Sequence, residues 1–473
     1  MSLDVSALKR KAKEWIDENE EYLSGIAHKI WEYAEPALQE FKSSKLLADE
    51  LEKEGFTVER GVAGMPTAFV ATYGSGKPVI GLLGEYDALP GLSQDAVPER
   101  KPVKEGAPGH GCGHNLLGTG AAGAAMAVKH VMEEHRLPGT VKFFGCPAEE
   151  IAVGKVYMIK AGLFDDVDAA LTWHPWFANT TWMASMLALN SVKFRFYGVA
   201  AHAAAAPEAG RSALDAVELM DVGVNYLREH VPEKARIHYV ITHGGKAPNI
   251  VPDFAEVWYF IRAPKRRDVE SIYSRVLDIA KGAALMTGTR EEVKFITGCW
   301  EVIPNEVLSD LIYSNLEEVG PPKFSDEEKL FAKKIAETFP KEQKMRMIES
   351  YSIPEPEKAV KLDLVDYVAP PRDIGKVLPG STDVGDVSAK VPTAQCVATT
   401  FVLGSAIHSW QAVATAGMSI GHKGMLTASK ALALTVIDLL TKPEAITKAK
   451  EELRRKGITY KSPIPEGVKP PLP

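Results

Sequence analysis

Apolar residues recur at three- and four-residue steps from Asp4 to about Glu35, at Ala7, Ala12, Trp15, Ile16, Tyr22, Leu23, Ile26, Ile30 and Trp31, and again from Phe41 to Glu54. That spacing predicts two amphipathic helices at the start of the chain. "KPVIGLLGEYDALPG" reads as a short buried strand, Val79 to Leu83, ended by polar residues and a Pro-Gly turn. A small-residue run from about Asn115 to His135 predicts a long helix, and the strands "GTVKFFGCPAEE" and "DAALTWHP" flank a further helix over Gly154 to Ala161. Strand, helix, strand, helix, strand predicts a layered α/β sheet, whose ligands collect at the carboxyl ends of the strands.

After Trp182 the pattern changes. "SVKFRFYGVA", "RIHYVITH", "AEVWYFIRA" and "EEVKFITG" alternate, and helical stretches separate the first from the second and the third from the fourth. The order β-α-β-β-α-β over residues 187–299 predicts a ferredoxin-like α+β unit inserted as a second domain, dividing the first into residues 1–186 and 300–473. Two helical stretches follow Trp300. The Pro-rich, weakly periodic segment Lys341 to Pro379 reads as a long surface excursion. "QCVATTFVLG" holds another buried strand, Lys423 to Leu440 a final helix, and "SPIPEGVKPPLP" an extended tail with no core of its own.

Composition narrows the function classes. The 473 residues imply two or three domains, and 45% hydrophobic with 25% charged residues is the balance of a folded soluble protein. The 55 basic against 62 acidic residues leave a charge of −7, with no positive field for a phosphate backbone, so nucleic acid is not an expected partner. No run of 18 or more apolar residues occurs, and no apolar stretch precedes the first charges, so neither a membrane span nor a signal peptide is expected and the placement is cytoplasmic. Cys112, Cys146, Cys299 and Cys396 lie too far apart to read as a disulfide framework.

Candidate chemistry gathers at three strand ends. In "GHGCGHN", Cys112 and His114 are ligand types for borderline metals, held between glycines that let the backbone bend around an ion. In "CPAEE", the adjacent Glu149 and Glu150 repel one another and need either cations or full hydration. His174 follows the strand in "LTWHPW". Each has a plain structural reading when taken alone: a buried Cys and His, a solvated acidic pair, a satisfied imidazole. Together they fall on successive loops of one predicted sheet. Asp87, in "GEYDALPG", either accepts from a ligating imidazole and sets its tautomer or makes an Asx turn.

The motifs "GEYDALPG", "GHGCGHNLLG", "PAEE", "LTWHP", "AHAAAAPEAGRSALDA", "NIVP", "STDVGDVS" and "LGSAIHSW", in this order between about Glu85 and Lys423, resemble the aminoacylase and carboxypeptidase-G family of dinuclear-metal amidohydrolases, in particular its aminobenzoyl-glutamate hydrolase B-subunit type. The resemblance implies two divalent metal ions, Zn or Mn, held by Cys112, His114, Glu150, His174 and His408. His422, in "SIGHKGM", is the alternative last ligand. The resemblance also implies Glu149 as general acid/base, and Asp87, as acceptor from a ligating imidazole, is counted with the catalytic residues. Glu85 and Asn115 stand where many relatives carry a ligating His or Asp and an Asp, a departure shared with the aminobenzoyl-glutamate type.

In the inserted unit the resemblance implies His202 as an imidazole reaching across a dimer to the partner's scissile carbonyl, since the alanines around it offer no polar partner, and Asn249 and Arg262 as substrate contacts. Trp173, Trp176, Phe177 and Trp410 near the strand ends suggest an aromatic group beside the metals. The implied substrate is a small N-acyl amino acid such as p-aminobenzoyl-glutamate. The implied assembly is a homodimer or a hetero-oligomer with a related subunit. A dipeptidase, an aromatic deaminase and a non-catalytic subunit are the alternatives.

Overall fold

A computed structural model describes residues 4–473. Its strands are β1 (Thr57–Arg60), β2 (Phe69–Ser75), β3 (Val79–Glu85), β4 (Gly139–Cys146), β5 (Ala169–Trp176), β6 (Thr180–Thr181), β7 (Ser185–Met186), β8 (Ala188–Tyr197), β9 (Arg236–His243), β10 (Phe254–Ala263), β11 (Arg290–Cys299), β12 (Val377–Leu378) and β13 (Thr393–Thr399). Seven of them form a mixed sheet in the order β1-β2-β4-β3-β5-β13-β6, in which β4, β3, β5 and β13 run parallel. Parallel strands covered on both faces are apolar throughout, and β3 is buried at every residue.

Alternation divides those side chains between two cores. Ile80, Leu82, Val141, Phe143, Leu171 and Trp173 pack into one, with helices Val5–Glu18, His114–His135 and Ser419–Thr441. Val79, Leu83, Phe144 and Ala170 point the other way, onto helix Gly154–Lys160. The expected α/β layers are therefore present. Helix His114–His135 lies close because its contact side is made of glycines: a Cβ at Gly118 would meet the Glu85 carbonyl, and one at Gly120 would meet the Trp173 ring. Trp173 is core and its Nε1 donates to the Leu117 carbonyl (3.0 Å), tying β5 to that helix.

A second sheet, β11-β8-β10-β9, is antiparallel throughout, and helices Ala213–Leu227 and Arg266–Thr287 join its strands in β-α-β-β-α-β order. Its own core, with Phe194, Val217, Met220, Tyr259, Ile272 and Val276, is separate from the other two. This is the expected ferredoxin-like arrangement.

Three expectations need correction. The opening stretch is two helices, Val5–Glu18 and Glu20–Tyr33, broken at Asn19, whose side chain donates to the Trp15 carbonyl. Lys341–Pro379 is not a surface excursion: helix Lys341–Ser350 and the chain after it bury Met347, Ile348, Ile353 and Val365 in the main core, anchored by a few apolar residues without a period. The tail is without helix or strand and without a core of its own, as expected, and is anchored by Ile464 in the second core and by its carbonyls at Pro465, Val468 and Lys469, which accept from Lys160 and Tyr157. Finally, the helix expected over Lys423–Leu440 is Ser419–Thr441 and is not the last, since Pro443–Arg455 follows it; its composition would suit a membrane span, but 89% of its apolar 18-residue window is buried inside the protein. Its few polar residues interrupt the apolar run without giving it an exposed face.

The close approach at Gly118 is testable. In an exposed helix Gly→Ala stabilises by about 1 kcal/mol, but here the new methyl meets backbone that cannot rotate away. Gly118→Ala should lower stability by about 1–3 kcal/mol in urea unfolding, and a gain would mean that the helix has slack against β3.

Candidate metal centre

The carboxyl ends of β3, β4 and β5 bring Glu85, Asp87, Glu149, Glu150 and His174 to one edge of the sheet, and the loop into helix His114–His135 adds Cys112 and His114. Gly113, in the left-handed region at φ 77°, makes the bend between Cys112 and the helix. Two non-glycine residues also take left-handed backbone here, Ala148 (φ 56°) and His408 (φ 59°). Such strain persists only where neighbours impose it. The Ala148 N–H donates to the buried Glu40 carboxylate (2.8 Å), and the His408 N–H to the Gly111 carbonyl (3.0 Å).

Three overlapping sets of side chains are close enough to share an ion: Cys112, His114 and His174; Cys112, Glu150 and His408; and Glu85, His114 and Glu149. Cys112 Sγ lies 3.4 Å from His174 Nε2, His408 Nε2 lies 3.4 Å from Glu150 Oε2, and His114 Nε2 lies 3.2 Å from Glu85 Oε2. Asp87 accepts from His114 Nδ1 (2.8 Å) and from the Glu150 N–H (2.9 Å). One carboxylate thus sets a tautomer and holds a loop, leaving His114 Nε2 facing the cluster. Burial and the neighbouring His114 lower His174 to about 4, and burial raises Glu150 to about 7. Burial and Glu85 raise Glu149 well above the carboxylate range.

Negative charge is in excess. Among Glu85, Asp87, Glu149, Glu150 and Asp383, the fully buried Lys155 is the one ammonium among the described residues, 2.6 Å from Glu85 Oε1 and 2.5 Å from Asp383 Oδ1. Glu150 Oε1 is buried with no hydrogen-bond partner among the described residues, and Glu85 Oε2 and His114 Nε2, though 3.2 Å apart, are buried without a hydrogen bond between them or to others among those residues. Lone pairs left bare in a dry site cost several kcal/mol, and divalent cations satisfy them. The donor set, one cysteine sulfur with imidazoles and carboxylates, suits divalent metal ions.

All five expected ligands, with Glu149 and Asp87, therefore meet at one site. His422 does not: it faces His28 across 6.4 Å on helix Ser419–Thr441 and belongs to none of the three sets. The inserted unit's residues lie outside the cleft of their own chain. His202 and Asn249 are exposed on neighbouring loops, joined by the Ala203 N–H to the Asn249 carbonyl (3.0 Å). His202 has polar partners after all, since its Nδ1 accepts from the Ala204 and Ala205 amides (3.2 Å each), backbone groups that side-chain composition does not reveal. Arg262 is half-buried over the Phe260 ring (5.2 Å).

A cleft of about 320 Å³ opens beside the cluster. Of the aromatics singled out in the sequence, Trp176 and Trp173 line it; Phe177 is core, and Trp410 packs with Phe331 and Phe339 in a separate apolar cluster. Lys155, Asp383 and Glu40 went unnoticed in the sequence. A lysine inside the apolar helix "GKVYMIK" and the Asp of "STDVGDVS" were available signals; Glu40 gave none.

Residues 81–412 match the family model "Peptidase family M20/M25/M40". The chain is 46% identical over 466 residues to the B-subunit of p-aminobenzoyl-glutamate hydrolase from Escherichia coli K12, covering 96% of this chain and 97% of that protein. It is 29% identical over 468 residues to the Xaa-Arg dipeptidase of Mus musculus, covering 96% and 94%. Its fold matches a Bacillus subtilis protein described as a dinuclear metal binding peptidase (TM-score 0.55, 18% identity, 90% of this chain and 99% of that one). Its sheet, its cluster of ligand-type side chains and these likenesses agree: the chain belongs to peptidase family M20/M25/M40 and is a metal-dependent hydrolase of C–N bonds.

Proposed function

We propose that the protein hydrolyses the amide bond of an N-acyl amino acid with an aromatic acyl group, of which p-aminobenzoyl-glutamate is the first to test. The observation that carries this reading is the meeting of Cys112, His114, Glu150, His174 and His408 with a further carboxylate, Glu149, at the mouth of an aromatic-walled cleft. The 46% identity to a protein named as part of a p-aminobenzoyl-glutamate hydrolase supports the substrate. The first five residues would hold two divalent cations, Zn or Mn. Bound there, such cations supply Lewis acidity, lowering the pKa of an attacking water and polarising the amide carbonyl.

Glu149 takes the proton from the attacking water and passes it to the amide nitrogen, because an amine leaves poorly unless protonated. Asp87 keeps His114 in the tautomer that presents Nε2 and holds the Glu150 loop through its amide. His202 acts in trans. Its Nδ1 accepts two backbone N–H groups, so in the neutral ring the proton sits on Nε2, where it can donate to the developing oxyanion in a partner's site. Asn249, on the loop beside it, and Arg262 meet the substrate's carboxylate or carbonyl from the same unit.

The edge strand β9 supports a two-fold pairing of like units. Among the described residues it has no partner on its outer side, and it exposes Tyr239, Val240 and Ile241; a bare apolar edge is a template for a second copy. A hetero-oligomer is the second reading, favoured by the name of the Escherichia coli relative, which describes one subunit of an enzyme.

Three outcomes follow. Glu149→Ala should keep both metals by elemental analysis while turnover falls about 10²–10⁴-fold, whereas Glu150→Ala should lose metal; the reverse pattern would exchange their roles. Chelation should lower the melting temperature and metal should restore it, since ions that bind only the folded state stabilise it; an unchanged melting temperature after complete metal removal would mean that the carboxylates are balanced without cations. Mixing Glu149→Ala with His202→Ala chains should recover part of the activity once subunits exchange, because one of the two sites in a heterodimer then carries neither defect. Proven exchange without recovery would place His202 outside the reaction.

A further inference from the structure

The cleft has a wall that the metal chemistry does not use. Trp176 leaves the end of β5, Trp182 follows β6, and Tyr351 closes helix Lys341–Ser350. Their rings meet, with Trp176 and Trp182 centroids 4.8 Å apart at 41°, and Tyr351 edge-on to Trp176 at 5.1 Å and 77°. His174 stands edge-on to both tryptophans, at 5.8 and 5.9 Å. The aromatic wall therefore begins one ring away from the cluster. Met186 and Leu378, from the short parallel pair β7 and β12, make the side of the cleft. Beyond the cluster itself the lining carries no charged side chain among the described residues. Ser381 lines the same cleft, and its hydroxyl is buried with no partner among the described residues.

We propose that this wall is an acyl subsite for one planar, uncharged aromatic ring, packed by Trp176, Trp182 and Tyr351, with the Ser381 hydroxyl free to hydrogen-bond a ring substituent. This inference rests on the amide-hydrolase reading above and adds to it the residues that choose the acyl group. The physical reasons are direct. Aromatic faces and edges reward a ring in stacked or T-shaped contact. An aliphatic acyl group as small as acetyl leaves the wall unfilled. A free ammonium on the acyl side, as in a dipeptide, loses its hydration against the apolar rings, and the only carboxylates near it are those of the cluster, where cations would compete for them. A substituent such as an arylamine satisfies Ser381, whereas an unsubstituted ring leaves that hydroxyl unpaired. The subsite depends on a segment that carries little periodic signal, since Tyr351, Leu378 and Ser381 all come from residues 351–381.

The test uses the metal-loaded, full-length protein in two ways. In the first, kcat/KM is measured for p-aminobenzoyl-glutamate, benzoyl-glutamate, acetyl-glutamate and phenylalanyl-glutamate. The wild type should prefer the two aroyl substrates, and Trp182→Leu and Tyr351→Leu should each lower the aroyl-to-acetyl ratio by about ten-fold or more. Ser381→Ala should lower p-aminobenzoyl relative to benzoyl turnover by about 2–10-fold. In the second, p-aminobenzoate is titrated while tryptophan fluorescence is followed, and saturable quenching should weaken in both Trp182→Leu and Tyr351→Leu. Equal loss on aroyl and acetyl substrates, or preference for phenylalanyl-glutamate, would overturn the subsite. If the fully metallated wild type cleaves none of the amides, the function proposed above fails. Quenching by p-aminobenzoate that depends on Trp182 and Tyr351 would still establish the ring site, and its absence would remove it.

Discussion

Five carboxylates share the edge of the parallel strands with a single buried ammonium, and the local structure is arranged around that imbalance. Lys155 is taken wholly out of water to lie between Glu85 and Asp383. Desolvating it is tolerable only because two carboxylates meet it at hydrogen-bond distance, and removing one member of such a set leaves an uncompensated buried charge, a loss of about 3–5 kcal/mol. Backbone holds Asp87, through the Glu150 amide, and the neighbouring buried Glu40, through that of Ala148. What these contacts leave unsatisfied, Glu85 Oε2, Glu150 Oε1 and His114 Nε2, converges where cations would sit.

The rest of the first domain serves that edge by close packing. Glycine at positions 118 and 120 lets helix His114–His135 lie against β3 and β5, and its first turn then delivers His114 into the cluster. Left-handed backbone at Ala148 and His408 aims the Glu149–Glu150 loop and the His408 ring. Strain of this kind, of order 1–3 kcal/mol per residue, is kept by loops whose ends are pinned to the core. The inserted unit has its own core and turns its His202 loop outward, so the proposed reaction divides its work between an edge that fixes charge and a unit that completes a partner's site.

Much of this was written in the chain. Apolar patterning located β3, β4, β5 and β13 of the larger sheet and all four strands of the inserted one, because side-chain direction is a local property of backbone geometry, but it passed over β1, β2 and β6. Cys112, His114, Glu149, Glu150 and His174 were legible as a set, because parallel strands must place their carboxyl ends on one edge. The choice of His408 over His422 came from motif order, and the distances agree with it. Tertiary structure alone decided the rest. Glu40 and Lys155 matter only through partners far along the chain, Asp383 lies 228 residues from Lys155, and the partners of His202 are backbone amides that no residue type announces. The segment from Lys341 looked like surface because its apolar residues follow no period, yet a core needs only that each be placed against a neighbour. Periodicity reports which face of an element is buried; which distant charge, ring or carbonyl that face meets is a property of the packed chain.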